Sequence, residues 1–273
     1  MIFLSLYNLF KGVFLLDAIE SLTGVQPDGR KSRLPAKLDY IQSVTGGFLA
    51  LFMVGHMIFI SSILISEEFF NKIAKMMELP FIFKDNPMMV SLVGGAVLFI
   101  FIIHAGVALR KFPSNYRQYK VSFTHAHLMD HTDTRIWFIQ VFTGFAMFFL
   151  GSVHLYILIT HPTITADVSA GRMAMEWMAP LYLLLLLAVE FHGAIGLYRL
   201  ALKWGWFLGD NPKKGRKKLK LYKHALTVFM LTLGVLSLAA FIKIGLENRS
   251  LEKPIVKTHT SCESITNIKV VLS

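Results

Sequence analysis

The stretch LYLLLLLAVEFHGAIGLYRL, residues 181–200, decides the fold class. An apolar run leads into Glu190 and His192, and the stretch then stays mostly apolar until Arg199. A helix that crosses a bilayer needs roughly 20 predominantly apolar residues. The stretch therefore predicts a membrane-spanning helix, and its acid and imidazole require an explanation.

Four further apolar stretches predict four more spans. The chain has 273 residues, of which 54% are hydrophobic and 16% are charged, and this composition is typical of an integral membrane protein. No alternating pattern indicates a barrel. We predict an all-α integral membrane bundle of five transmembrane helices, forming one membrane domain over residues 1–273. The predicted spans are residues 43–65, 88–109, 136–160, 177–198 and 225–242.

Lysine and arginine are divided unequally between the two sides of these spans. Five precede the first span, five lie between the second and third, and nine lie between the fourth and fifth, whereas the other side holds nine. Because the more basic side faces the cytoplasm, residues 1–42 are predicted to be a cytoplasmic segment and residues 243–273 an outer tail. Topology and attraction to anionic lipid account for the net charge of +11, so no nucleic acid partner is expected.

Each of the first four predicted spans contains one histidine, and the fifth contains none. At 1.5 Å per residue, His104 and His192 lie roughly 9 and 10 Å from the cytoplasmic end, and His154 and His56 lie roughly 9 and 15 Å from the outer end. Each half of the membrane thus receives two imidazoles from different helices. This pattern predicts two haems with bis-histidine coordination, because zinc would need further ligands at each level.

Glycines lie about ten residues before three of these histidines. Ten residues correspond to about 15 Å of helix, so each helix is predicted to be thin at the level of the haem that it does not ligate. Close packing between membrane helices is the alternative explanation. The glycines are Gly46 and Gly47 in the first span, Gly94 and Gly95 in the second and Gly144 in the third.

Four motifs carry a resemblance to a known family. They are KSRLPAKLDYIQSVTGGFLALFMVGHM, RKFPSNYRQY, TRIWFIQVFTGFAMFFLGSVHLY and VEFHGAIGLYRLALKWGWF. Over about Lys31 to Phe207 the chain resembles the di-haem cytochrome b membrane-anchor subunits of epsilonproteobacterial quinol:fumarate reductases. These subunits belong to the succinate dehydrogenase/fumarate reductase superfamily.

The resemblance implies a role in anaerobic respiration at the bacterial inner membrane. The chain would oxidise menaquinol and pass electrons through two b haems to a cytoplasmic iron–sulfur subunit, and a bound flavoprotein subunit would reduce fumarate. The dicarboxylate site would therefore lie on a partner subunit. The complex could work in the direction of succinate oxidation, and it is compatible with a dimer.

The resemblance also implies which residues hold the haems. His104 and His192 would ligate the proximal haem, near the cytoplasm, and His56 and His154 the distal haem. Arg172 would hold a distal propionate. Ordinary interfacial anchoring is the alternative for the tryptophan and lysine among the proximal contacts. The residues that would contact the proximal propionates are Gln42, Ser43, Trp137 and Lys203.

Glu78 is the predicted proton acceptor for quinol. It lies in the outer segment SEEFFNKIAKMMELPFIF, residues 66–83, between Met77 and Leu79. Apolar surroundings favour the protonated form of an acid, and quinol releases protons together with its electrons. A solvated surface acid is the alternative.

Glu190 cannot orient His192, because residues two apart on a helix point about 200° apart. Electrons that move inward work against the membrane potential, at about 2.3 kcal/mol per charge per 100 mV. A proton that moves inward with each electron would cancel this opposition. We therefore predict that Glu190 relays protons inward when a haem is reduced. A structural hydrogen bond to a neighbouring helix is the alternative.

Two other functions fit parts of the pattern. One is a di-haem cytochrome b anchor of another respiratory complex, such as a nitrate reductase. The other is a proton or metal transporter that uses Glu190 and the histidines. An optical spectrum separates haem binding from transport, because a transporter without haem would be colourless.

Overall fold

The computed structural model describes residues 31–77, 88–111, 116–128, 132–175 and 177–271. The regular elements in these ranges are eight α-helices and one 3-10 helix, which confirms the all-α prediction. The α-helices are α1 Leu34–Ser61, α2 Glu67–Met77, α3 Met88–Leu109, α4 Tyr116–Leu128, α5 Thr132–Thr160, α6 Ala166–Met173, α7 Met178–Trp204 and α8 Pro212–Val271, and the 3-10 helix Ser62–Leu64 follows α1.

Five helices are long and apolar enough to cross a membrane, as predicted: α1, α3, α5, α7 and α8. Four of them extend beyond the predicted apolar runs. Helix α1 begins at Leu34 rather than at residue 43, and α7 continues to Trp204, where Gly205 ends it with a left-handed φ of 71°. Helical hydrogen bonds do not require apolar side chains, so the helices continue into the basic segments at the membrane edge.

Helix α7 is the central helix of the bundle. In its most apolar 18-residue window 39% of the residues are buried, compared with 6% in the corresponding window of α5. It packs against α1, α5 and α8. The helix that carries Glu190 and His192 therefore lies between three of the other spans.

The two ends of the bundle differ in chemistry. We call one end the basic end: it contains the starts of α1, α5 and α8 and the ends of α3 and α7, where Asp39 contacts Arg110 and Lys203, and Asp133 contacts Lys220. At the opposite end, the 3-10 helix, α2 and α6 pack against α1 and α8.

An aromatic cluster holds the opposite end together. Phe70 of α2 is fully buried, stacks on Phe59 at a centroid distance of 5.2 Å and meets Phe241 edge-on at 5.3 Å. It therefore joins α2 to the end of α1 and to the middle of α8.

Truncating Phe70 should destabilise this end of the bundle. Replacing a buried phenylalanine by alanine costs about 3–5 kcal/mol, because it removes apolar contacts and leaves a cavity. Phe70→Ala should therefore lower the thermal unfolding temperature of the detergent-purified protein clearly. Phe69→Ala is the matched control, because Phe69 is 38% exposed. Equal effects of the two substitutions would contradict the assigned core.

Candidate functional site

The four histidines of the spans form two facing pairs. His104 of α3 and His192 of α7 have ring centroids 6.3 Å apart and ring planes at 89°. His56 of α1 and His154 of α5 have centroids 6.0 Å apart and planes at 59°. The structure thus brings together the same partners that were paired by depth in the sequence, and the first pair lies nearer the basic end.

The spacing of each pair suits one metal between two imidazoles. An imidazole nitrogen binds a metal such as zinc at about 2 Å, so two nitrogens on opposite sides of one metal lie roughly 4 Å apart and the ring centroids somewhat further. Within the described residues, no group of three or more His, Cys, Asp or Glu could hold a metal ion. The donor set therefore fits a metal whose other ligands come from a planar macrocycle, and it does not fit a zinc site.

The pair near the basic end is oriented by its neighbours. His192 Nδ1 lies 2.8 Å from the Gln140 carbonyl oxygen, and His104 Nδ1 lies 3.2 Å from Thr45 Oγ1. The Thr45 hydroxyl donates to the Ile41 carbonyl, so its oxygen can accept from His104. When both Nδ1 atoms donate in this way, both Nε2 atoms are left to bind a metal.

Two glycines allow neighbouring helices to pack closely against the histidines of this pair. A Cβ added to Gly46 would lie 2.7 Å from Cε1 of His104, and one added to Gly144 would lie 2.7 Å from Cε1 of His192. Gly46 is on the helix of His56 and Gly144 on the helix of His154. Each helix is therefore thin beside a histidine of the other pair. Gly94 instead faces Ile159.

The second pair has a partner that the sequence did not reveal. Tyr182 Oη lies 3.0 Å from His154 Nδ1, whereas His56 stacks on Phe52. A tyrosine in an apolar run is typical of the membrane interface, so its residue type did not indicate a contact with a histidine. The only sequence signal for such a contact was its position ten residues before His192 on the same helix. The half-buried Arg172 donates to the carbonyls of His161 and Thr163, at 2.9 and 3.2 Å, and burial lowers its pKa.

The predicted polar contacts at the basic end divide into two groups. Lys203 Nζ lies 3.3 Å from Ser43 Oγ, so these two are brought together. Gln42 has a buried Oε1 without a hydrogen-bond partner in the described part of the chain. Trp137 meets the ring of Phe138 edge-on. Among the described residues, Lys203 makes no hydrogen bond to Gln42 or Trp137.

Comparison with known proteins identifies the family. Residues 113–235 match the family described as succinate dehydrogenase/fumarate reductase transmembrane subunit. The fumarate reductase cytochrome b subunit of Wolinella succinogenes is 54% identical over 231 residues, which cover 84% of this chain and 90% of the relative. The subunits of the same name from Helicobacter pylori strains J99 and 26695 are 50% and 49% identical over 235 residues, covering 85% of this chain and 91% of each relative.

The chain belongs to the fumarate reductase cytochrome b subunit family. This finding confirms the resemblance that the motifs predicted. In this family member the two histidine pairs lie in the four spans α1, α3, α5 and α7, and α8 contributes no histidine to either pair.

Glu190 is buried in this family member, with 7% of its surface exposed. Leu186, one turn earlier on α7, packs against Met57 of α1 and Met230 of α8, so Glu190 lies on the α7 face towards α1 and α8. His192 instead contacts α5 through Gln140. No hydrogen bond to the Glu190 carboxylate occurs among the described residues.

Three charged residues at the basic end were not among the site residues predicted from the sequence: Asp39, Arg110 and Lys111. Asp39 contacts Arg110, and Lys111 Nζ lies 3.0 Å from the same carboxylate. Burial and the neighbouring cations Arg110, Lys203 and Arg199 lower the pKa of Lys111 to about 8. Arg110 and Lys111 stand in a quoted motif, but only the fold brings them to α1. Glu78 lies outside the described residues.

Proposed function

We propose that the chain is the membrane-anchor subunit of a quinol:fumarate reductase, that it oxidises menaquinol, and that it delivers the electrons to an iron–sulfur subunit. The observation that supports this proposal most strongly is the presence of two facing histidine pairs at different depths of one bundle. The names of its relatives agree, since each is a fumarate reductase cytochrome b subunit. Fumarate itself would be reduced on a flavoprotein partner.

Each histidine pair would hold one haem b. His104 and His192 would hold the proximal haem, and His56 and His154 would hold the distal haem. A haem b supplies one-electron oxidation and reduction when it is bound. Gly46 and Gly144 leave room beside the proximal imidazoles, and the Nδ1 contacts orient them.

The basic end has the charge that two propionates require. Three cations, Arg110, Lys111 and Lys203, surround the single carboxylate of Asp39. Nε of Arg110 is a buried donor without a partner in the described ranges. Two propionates would offset the remaining positive charge, with Ser43, Lys203, Gln42 and Trp137 as their contacts. Arg172 would hold a distal propionate at the opposite end.

Two acids would handle the protons. Glu78 would accept a proton from menaquinol near the distal haem, and Glu190 would relay protons towards the basic end. A buried acid without a hydrogen bond in the described structure is expensive in a membrane, and such groups mark proton pathways. Proton movement alongside the electrons would cancel the opposition of the membrane potential.

The distribution of charge supports an orientation for the chain. The basic end would face the cytoplasm of a bacterium and the C-terminus the periplasm, because basic loops remain inside. The iron–sulfur subunit would dock at the basic end and carry the flavoprotein subunit. Membrane lipid would surround the spans, and two such complexes could form a dimer.

Substituting the histidines one at a time should remove the haems in pairs. His56→Ala and His154→Ala should each lose the distal haem, and His104→Ala and His192→Ala the proximal haem, because both histidines of a pair would hold the haem. Reduced-minus-oxidised spectra and a haem-to-protein ratio measure the loss. His161→Ala should keep both haems, since His161 lies exposed at the end of α5. If His56→Ala and His104→Ala removed the same spectral component, the pairing would be wrong.

Neutralising Glu78 should stop quinol oxidation. Glu78→Gln should keep both haems and abolish electron transfer from a menaquinol analogue, since the quinol proton would have no acceptor. Fumarate reduction by a soluble dye should continue. Glu67→Gln is the matched control, because Glu67 is an exposed acid of the same outer segment. Normal quinol turnover by Glu78→Gln would remove Glu78 from the mechanism.

Glu190→Gln should block menaquinol-driven fumarate reduction while preserving haem content and fold. The amide cannot take up and release a proton, so inward proton transfer would stop. Dye-driven fumarate reduction should survive, because it bypasses the membrane subunit. Both activities are measured in proteoliposomes and in uncoupled vesicles. Native menaquinol turnover by the variant in vesicles without a membrane potential would refute the relay.

A further inference from the structure

Asp39 joins the ends of three spans at the basic end. Its carboxylate, in the second turn of α1, contacts the Arg110 guanidinium just beyond α3. Lys111 Nζ lies 3.0 Å from Oδ1, and Lys203 Nζ of α7 lies 3.4 Å from Oδ2. Lys203 Nζ also lies 3.2 Å from the Asp39 carbonyl oxygen. One acid therefore holds three cations.

Helices α1 and α3, which Asp39 and Arg110 join, are also in contact at His104. Thr45, six residues after Asp39 on α1, contacts His104 Nδ1, and Arg110 comes six residues after His104 on α3. Six residues correspond to roughly 9 Å of helix. The Asp39–Arg110 pair and the Thr45–His104 contact therefore fix the register of α1 against α3 at two heights, one of them at a histidine.

The charge around Asp39 is strongly positive. Three cations share one carboxylate, and the Arg110 side chain is only 15% exposed. Solvent therefore screens the charge of Arg110 less than it screens the charges of Lys111 and Lys203, which are 44% and 38% exposed. Asp133, the other acid with several cations at this end, differs because its partners Arg216 and Lys220 both lie on α8, a helix that contributes to neither histidine pair.

We propose that Asp39 is a positioning residue that sets the reduction potential of the haem held by His104 and His192. It holds Arg110, Lys111 and Lys203 in place and offsets one of their three charges. Positive charge near a redox centre stabilises its reduced form, and charge is one of the means by which a protein tunes such a centre. Without Asp39 the proximal haem would be easier to reduce. This inference rests on the proposed function.

The test is a spectroscopic redox titration of both haems in the intact complex. Asp39→Asn should raise the midpoint potential of the proximal haem alone, so that the ratio of reduced to oxidised haem at a fixed potential increases roughly tenfold, equivalent to about 59 mV. Lys111→Gln should shift the same midpoint in the opposite direction. Asp39→Glu should restore a midpoint close to the native one, because it keeps the charge.

Asp133→Asn is the matched control, since it removes an acid from the same end of the bundle and should leave both midpoints unchanged. If Asp39→Asn binds both haems and neither midpoint moves, the inference is overturned. If Asp39→Asn fails to retain the proximal haem, Lys111→Gln decides, and an unchanged midpoint in that variant overturns the inference as well. A native chain that binds no haem would instead refute the proposed function.

Discussion

In each of two pairs, two imidazoles face each other inside an apolar bundle, and the rest of the structure depends on this constraint. Each ring needs a partner for its second nitrogen, and each pair needs space that ordinary side chains would occupy. His192 meets this need with the Gln140 carbonyl and His154 with the Tyr182 hydroxyl. Gly144 supplies the space beside His192. The helices α5 and α7 are thus held at a distance and rotation that these contacts dictate.

The charged side chains of the bundle lie mainly at its ends, near water, and at the basic end they form clusters around two acids. At the basic end, Asp39 and Asp133 each hold cations from other helices. Isolated surface ion pairs stabilise little, so these clusters matter more for the potential they create than for stability. A positive potential at one end of the bundle would attract the carboxylates of a bound group. It would also favour the movement of electrons towards that end.

Glu190 is the exception to this arrangement, because it is an acid at depth. It faces α1 and α8, away from the histidine of its own helix. Nothing in the described residues donates a hydrogen bond to it, so its burial opposes stability. Under the proposed function, this acid would take up and release protons at a level between the two histidine pairs.

The sequence by itself determined the five spans, the depth of each histidine and the opposite directions of Glu190 and His192. These features depend on hydrophobicity, helical rise and helical period, which are local properties of the chain. Only the tertiary structure decided which glycines face a histidine, that Tyr182 contacts His154, and that Asp39 gathers cations from two other helices. Such contacts depend on how each helix is rotated and crossed against its neighbours, and packing between spans far apart in the chain sets those angles.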